Sequence, residues 1–397
     1  MKTERQQPEI VYTWIAWVCL IAGIVAVSIA TGFSHSVCDA YALGAARWMG
    51  GTALYTESVH GFLYLPHAAM IYAPFEMLPL WLGESLWRVL MMGGFAYGIY
   101  AFSKELEKKY VANLFTITSI VAIPMILDSA RNGQMTLLLT GLMLLATRDL
   151  LRGRLWWVTL WLMLGLALKP LIFVTVMLIA GVYLKSIWRF AIGILVLFFV
   201  PMLFASPSYV MEQYAGFIRN SKIASDPYAI ANGQFSDLFG MLRAWGIGAN
   251  GELQTLIRMA IGAGVWLLCL YGKKIWGHYQ GACLILAFSI CYLMLFNPRT
   301  EINTYSMFSV VLGIYAGWSI ILNKQKWLGG AMITIAFLIG GNYEIMRHIT
   351  PENPHWLPPF LTSIFSIYLI GIILFGQHPI EATQNQEIEE QAEICAS

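Results

Sequence analysis

Charge is scarce in this chain. Only 12% of its 397 residues are Asp, Glu, Lys or Arg, 58% are hydrophobic, and the mean hydropathy is +0.65. That balance excludes a soluble domain or a string of them. The 24 basic and 22 acidic residues leave a net charge of +2 and are spread along the chain. No basic stripe is left to hold nucleic acid. Cysteine is sparse as well: of six residues, Cys19, Cys269, Cys283 and Cys291 lie in apolar runs, Cys38 borders a loop and Cys395 is near the C-terminus. A disulfide framework is excluded, and no CxxC or Cys/His spacing marks a metal site, so neither metal nor cofactor is expected. A cleavable leader is not expected: MKTERQQPEI is polar, and the apolar run 11–30 reads as a retained first span. What is there is an all-α polytopic membrane protein.

Twelve apolar segments have the character of spans: 11–30, 84–103, 110–128, 133–150, 155–169, 170–185, 187–205, 251–272, 279–296, 302–322, 327–345 and 357–375. A further stretch, 62–81, is interrupted by Pro66, Pro74 and Pro79 and carries His67 and Glu76. Lys and Arg collect on cytoplasmic flanks, which decides its status. If it does not cross, Lys2/Arg5, Lys104/Lys108/Lys109, Arg148/Arg152/Arg154, Lys185/Arg189, Lys273/Lys274 and Lys324/Lys326 all fall on one side. The expectation is therefore a re-entrant or amphipathic 62–81, both termini cytoplasmic, and loops 31–61, 128–134, 206–236, 297–301 and 346–356 on the outer face. Residues 1–376 then form one membrane domain, and the acidic 377–397 a disordered tail.

Long polar loops on one face of a rigid bundle are where a site is expected. In the first of them Asp39 stands among Tyr41, Trp48, Tyr55 and Tyr64. A carboxylate shielded by aromatics can accept a proton from a hydroxyl, although residue type and position favour a helix N-cap before AYALGAARWM. Arg131, Asn132 and Gln134 sit in an outer turn where polar groups either pair, Asp128 with Arg131, or line a cavity. Asn132-Gly133-Gln134 recurs as Asn232-Gly233-Gln234, with turn formation the simpler common cause. Lys169-Pro170 breaks an apolar stretch; its lysine either snorkels or meets a lipid phosphate. Arg299 and Glu301 lead into another span with Tyr305 one turn on, and Arg is the natural fork for a phosphate oxygen. Gly246-x-Gly248-x-x-Gly251 has no preceding strand and is read as a loop. Gly94-x-x-x-Gly98 is read as helix packing within the bundle.

The acid after the first span, Gly50-Gly51-x-x-Leu54-Tyr55, Tyr64-x-Pro66, Asn132-Gly133-Gln134, Gly165-Leu166-Ala167-Leu168-Lys169-Pro170 and Asn297-Pro298-Arg299 together resemble the GT-C superfamily of membrane glycosyltransferases, within it family 87. The likeness covers most of residues 30–320. It implies a GT-C bundle of about twelve spans in a bacterial inner membrane. It further implies a polyprenyl-phosphate sugar donor, mannose by family, and a lipid-linked or glycan acceptor on the outer face. Asp39 maps onto the family's catalytic acid. Lys169, Arg131 and Arg299 are the phosphate-side candidates, and Tyr41, Tyr64, Asn132, Gln134, Asn232, Glu301 and Tyr305 the cavity residues. The family's Ser-Pro and His-Tyr appear here as Asn297-Pro298 and Thr304-Tyr305. A lipid-linked glycan polymerase or ligase would be expected to place arginines in two outer loops, and a transporter would show an inverted repeat; both fit the sequence less well.

Overall fold

The computed structural model describes residues 7–56, 62–224, 235–350 and 354–375. Among them there is helix and connection but no strand. The chain begins with α1 (Gln7–Ala30), α2 (Cys38–Met49), α3 (Pro66–Glu76), α4 (Leu80–Leu106), α5 (Val111–Asn132) and α6 (Thr136–Leu151). It continues through α7 (Leu155–Leu168), α8 (Phe173–Val182), α9 (Ile187–Phe199), α10 (Pro207–Ala224) and α11 (Leu238–Ala244). The last third holds α12 (Gly251–Phe296), α13 (Phe308–Ile321), α14 (Lys326–Gly340), α15 (Asn342–Ile349) and α16 (Leu357–Phe375).

Six helical stretches have the length and hydropathy to cross a bilayer, and α14 with α15, bent by 72°, makes a seventh if the two count as one. The sequence reading of twelve spans differs for identifiable reasons. Segments 133–150, 155–169 and 170–185 form helices of 16, 14 and 10 residues, shorter than the roughly 20 that an unaided crossing needs. Pro170–Ile172 and Leu184–Ser186 form single 3-10 turns that divide this part of the chain. Segments 251–272 and 279–296, in contrast, are divided as the sequence reading divided them: they are the two halves of α12, which reverses at Gly277 (φ 82°, ψ −170°), a backbone conformation open to glycine. Across that hairpin Tyr292 donates to the Arg258 carbonyl (3.0 Å) and Arg258 Nε to that of Phe296 (3.0 Å). The proline-broken 62–81 contains α3, 11 residues long, about 16 Å at 1.5 Å per residue and so half a hydrocarbon core.

Glycine sets a close contact between α4 and α6. A Cβ on Gly98 would lie 2.7 Å from the Gly141 Cα, and one on Gly141 would lie 2.4 Å from the Gly94 carbonyl oxygen. The backbones of α4 and α6 therefore touch, as small residues allow where there is no water to expel. Trp17, Trp87, Trp318, Tyr315, Phe95 and Phe115 fill the core. α1 packs more lightly, joined through Trp17 Nε1 to Ser119 Oγ (3.0 Å) and the Trp14 ring on Tyr100 and Phe115.

Helices alternate between two ends of the bundle. At one end the connections after α4, α6, α8 and within α12 touch one another: Tyr279 donates to the Leu106 carbonyl (2.6 Å), His278 to that of Leu150 (2.9 Å), Tyr183 to that of His278 (2.9 Å), and Lys273 to that of Val182 (2.8 Å). Four of the basic groups found in the sequence, at 104–109, 148–154, 185–189 and 273–274, lie in or beside these turns. At the other end lie α2, α3, α10 and the longer connections.

Candidate active site

That second end encloses a cavity of about 450 Å³. Tyr64, Gln134, Lys169, Arg299 and Glu301 line it, and Val37, Ala40, Phe217, Asn297 and Thr304 are among the rest of the wall. Five of the residues singled out from sequence thus come together from four separate connections. Two cations and one carboxylate line the same cavity, a composition that suits an anion beside a proton acceptor. Burial lowers the Arg299 pKa, opposed by the nearby Glu301 and Tyr64, and a guanidinium remains charged throughout.

Each side chain has a local reason for its place. Gln134 follows a Schellman ending of α5: Gly133 stands in the left-handed region (φ 69°), its N–H on the Ala130 carbonyl and that of Gln134 on Ser129. Lys169 ends α7 with an extended backbone (φ −150°, ψ 127°), the conformation that the following proline imposes. Arg299 donates to the Ala224 carbonyl (3.1 Å) at the end of α10 and stacks on Phe235 (5.2 Å). The turn beneath it is held by Thr300, which donates to the Leu293 and Asn297 carbonyls, while its own carbonyl accepts from Ser236 N. Tyr64 is fixed through its backbone, whose carbonyl accepts from Tyr55 (2.7 Å). That bond joins the Leu-Tyr and Tyr-x-Pro stretches noted in the sequence.

Asp39 is exposed in the first turn of α2, flanked by Val37 and Ala40 of the cavity wall. It is not the N-cap: Val37 holds that position and no side chain caps the helix. A carboxylate one turn in still favours the helix through the dipole. The remaining candidates lie away from the wall. Tyr41 is buried behind Tyr64, their rings edge to face at 5.3 Å. Tyr305 is a core residue whose hydroxyl donates to the Ser236 carbonyl (2.7 Å). The Asn132 carbonyl accepts from Val37 N (3.0 Å), and the Arg131 carbonyl accepts from Arg88, while Arg131 Nε is buried without a partner. Asn232 lies outside the described residues. Among the described residues no three His, Cys, Asp or Glu side chains gather as a metal would require.

Two features of this end escaped the sequence reading. The first is a buried ion pair on α4, Glu84 with Arg88 at 2.6 Å, side chains 3% and 0% exposed. An acid and a base four apart inside an apolar segment was the signal. The second is α10, which grips the chain before α3: Gln213 Oε1 accepts from Leu54 N (2.8 Å), Asn220 donates to the Phe62 carbonyl (3.2 Å) and Tyr209 to that of Thr52 (2.8 Å).

No curated protein matches the chain. Residues 62–298 match the family model of glycosyltransferase family 87, a stretch that takes in Tyr64, Gln134 and Lys169, ends beside Arg299 and begins downstream of Asp39. With more than half its length matched and an all-helical, membrane-crossing fold beneath it, the chain belongs to glycosyltransferase family 87 and is a membrane glycosyltransferase.

Proposed function

We propose that this glycosyltransferase moves a hexose, mannose by family likeness, from a polyprenyl-phosphate donor to a lipid-linked or cell-envelope glycan acceptor, with inversion at the anomeric carbon. The observation that carries this reading is the meeting of Lys169 and Arg299 in one cavity with a carboxylate. A glycosyl phosphate is already activated. The acceptor oxygen attacks the anomeric carbon and the bond to the phosphate oxygen breaks; the hydroxyl proton goes to a carboxylate and the lipid monophosphate leaves. Lys169 and Arg299 neutralise the charge that develops on the phosphate, a task for preorganised donors in a dry site. A single displacement needs one base and no glycosyl-enzyme intermediate.

Asp39 is that base in our reading, supported by the family likeness and its place between two cavity-wall residues. A second reading has an observation in its favour: Glu301, unlike Asp39, lines the cavity itself. The basic turns gathered at the far end support an outward-facing cavity and cytoplasmic termini, since Lys and Arg mark the inner side; a bacterial inner membrane is carried by the family likeness.

The test supplies radiolabelled polyprenyl-phosphate mannose to membranes holding the protein. Label is expected in a glycolipid product, and label crossing unmodified into vesicles would indicate transport instead. Asp39→Asn should slow transfer about 10²- to 10⁴-fold. A wild-type rate from Asp39→Asn at normal protein levels, with the loss seen in Glu301→Gln, hands the proton to Glu301.

A further inference from the structure

The Glu84–Arg88 pair has a use beyond holding α4 in shape. Arg88 Nη1 meets Glu84 Oε2 (2.6 Å), Nη2 meets Ser36 Oγ (3.2 Å), and Nη2 and Nε both meet the Arg131 carbonyl (2.7 and 3.2 Å). Ser36 Oγ in turn donates to Glu84 Oε2 (2.7 Å) and accepts from Cys38 N (3.1 Å). One guanidinium therefore ties three pieces of chain: α4, the turn that leads into α2, and the last turn of α5. Beside it Trp87 Nε1 donates to the Gly133 carbonyl (2.9 Å), and Cys38 Sγ lies 3.9 Å from the same oxygen. Arg88 also stacks on Phe33 (5.2 Å), which stands at φ 58°. That region is strained for a bulky residue and persists only where neighbours hold it.

Burying an ion pair is a poor way to gain stability, because apolar residues of the same volume often do as well. What the pair supplies is direction: a planar fork whose arms fit only one arrangement of three partners. We infer that Ser36, Glu84 and Arg88 are positioning residues that fix the lead-in of α2 against the Arg131–Gln134 turn and so set where Asp39 stands relative to the cavity. The catalytic half of this inference rests on Asp39 as the base; the joint itself does not.

Cys38 reports on the joint directly. It is fully buried, and burial pushes its thiol up to about 11, so it resists alkylation at neutral pH while the two turns stay together. With Cys19 and Cys395 replaced by serine, labelling of Cys38 by a polar maleimide is measured in Ser36→Ala and in Arg88→Lys, alongside unfolding temperature and transfer kinetics. Ser36→Ala removes one hydroxyl from a half-buried site and keeps the ion pair, which guards against a variant that fails to fold. The expected result is several-fold faster labelling at a near-native unfolding temperature. Turnover should fall about 10- to 100-fold, the scale of an ångström-sized misplacement, with donor KM unchanged. Cys38 as protected as in the parent, or activity lost only in proportion to folded protein, overturns the inference. If the parent protein transfers no sugar, the proposed function falls while Cys38 labelling still upholds or overturns the joint.

Discussion

At the end opposite the cavity, Tyr279, His278, Tyr183 and Lys273 each reach a backbone carbonyl in a neighbouring turn, and the turns they close are short. At the cavity end Arg88 and Trp87 do the same for the carbonyls of Arg131 and Gly133. There, however, short turns such as 133–135 and 169–172 meet longer connections, and Lys169, Arg299 and Glu301 line open space. The same chemistry, side-chain donors on the orphan carbonyls of helix ends, closes one face and frames a site on the other. In the proposed reading, basic residues at the first end mark the cytoplasmic side, whereas at the second Lys169 and Arg299 line the cavity.

This contrast can be broken by substitution. Lys169→Met and Arg299→Met should each lower kcat/KM for the donor by about 10²-fold, the usual loss when one preorganised donor is removed. Lys273→Met, which removes a cation at the far end bonded to the Val182 carbonyl and set over the Tyr183 ring, should leave transfer unchanged. Equal losses at the two ends would mean that these lysines serve folding alike. A smaller effect separates two left-handed glycines. A Cβ on Gly133 (φ 69°) would come 2.6 Å from Cys38 Sγ, whereas Gly153 (φ 67°), at the basic end, has nothing within 4 Å. Alanine at Gly153 should cost about 1 kcal/mol of backbone strain, and alanine at Gly133 about 1–3 kcal/mol more, because a clash with packed atoms adds to it. Thermal unfolding in detergent measures the difference, and equal shifts would show that the Cys38 contact yields freely. The smallest effect concerns Arg152 with Glu105, side chains 33% and 19% exposed. A double-mutant cycle should return a coupling of about 0.2–1 kcal/mol; a larger value would make the basic end more than a topology marker.

Much of the cavity end was legible in residue types. Lys169, Arg299 and Glu301 stood out because charge is so rare here, and Gln134 and Tyr64 because polar and aromatic residues cluster beside spans. Asn132-Gly133-Gln134 was read as a turn former, and Gly133 in the left-handed region gives that reading its mechanism. Tyr305 misled for a physical reason: a tyrosine one helical turn past Glu301 resembles a site residue in sequence, but its hydroxyl is spent on the Ser236 carbonyl inside the core. Hydropathy divided the chain near Pro170 and Gly277, where the helices do break, but it counted full spans in 133–150, 155–169 and 170–185, whose helices are 16, 14 and 10 residues long, since apolar composition does not record where a helix ends. Nor did it register Gln213 and Asn220 of α10, which act on backbone 158 or 159 residues away.

Composition by itself determined that this chain lives in a membrane and that chemistry had to be sought among a handful of polar residues near span ends. These follow from hydropathy and charge, which are summed over local windows. Only the tertiary structure decided which of those residues share a cavity, that Val37 rather than Asp39 caps α2, and that Arg88 joins three segments far apart in the chain. Distances between turns depend on how helices pack and where they reverse, and no local window of sequence contains that information.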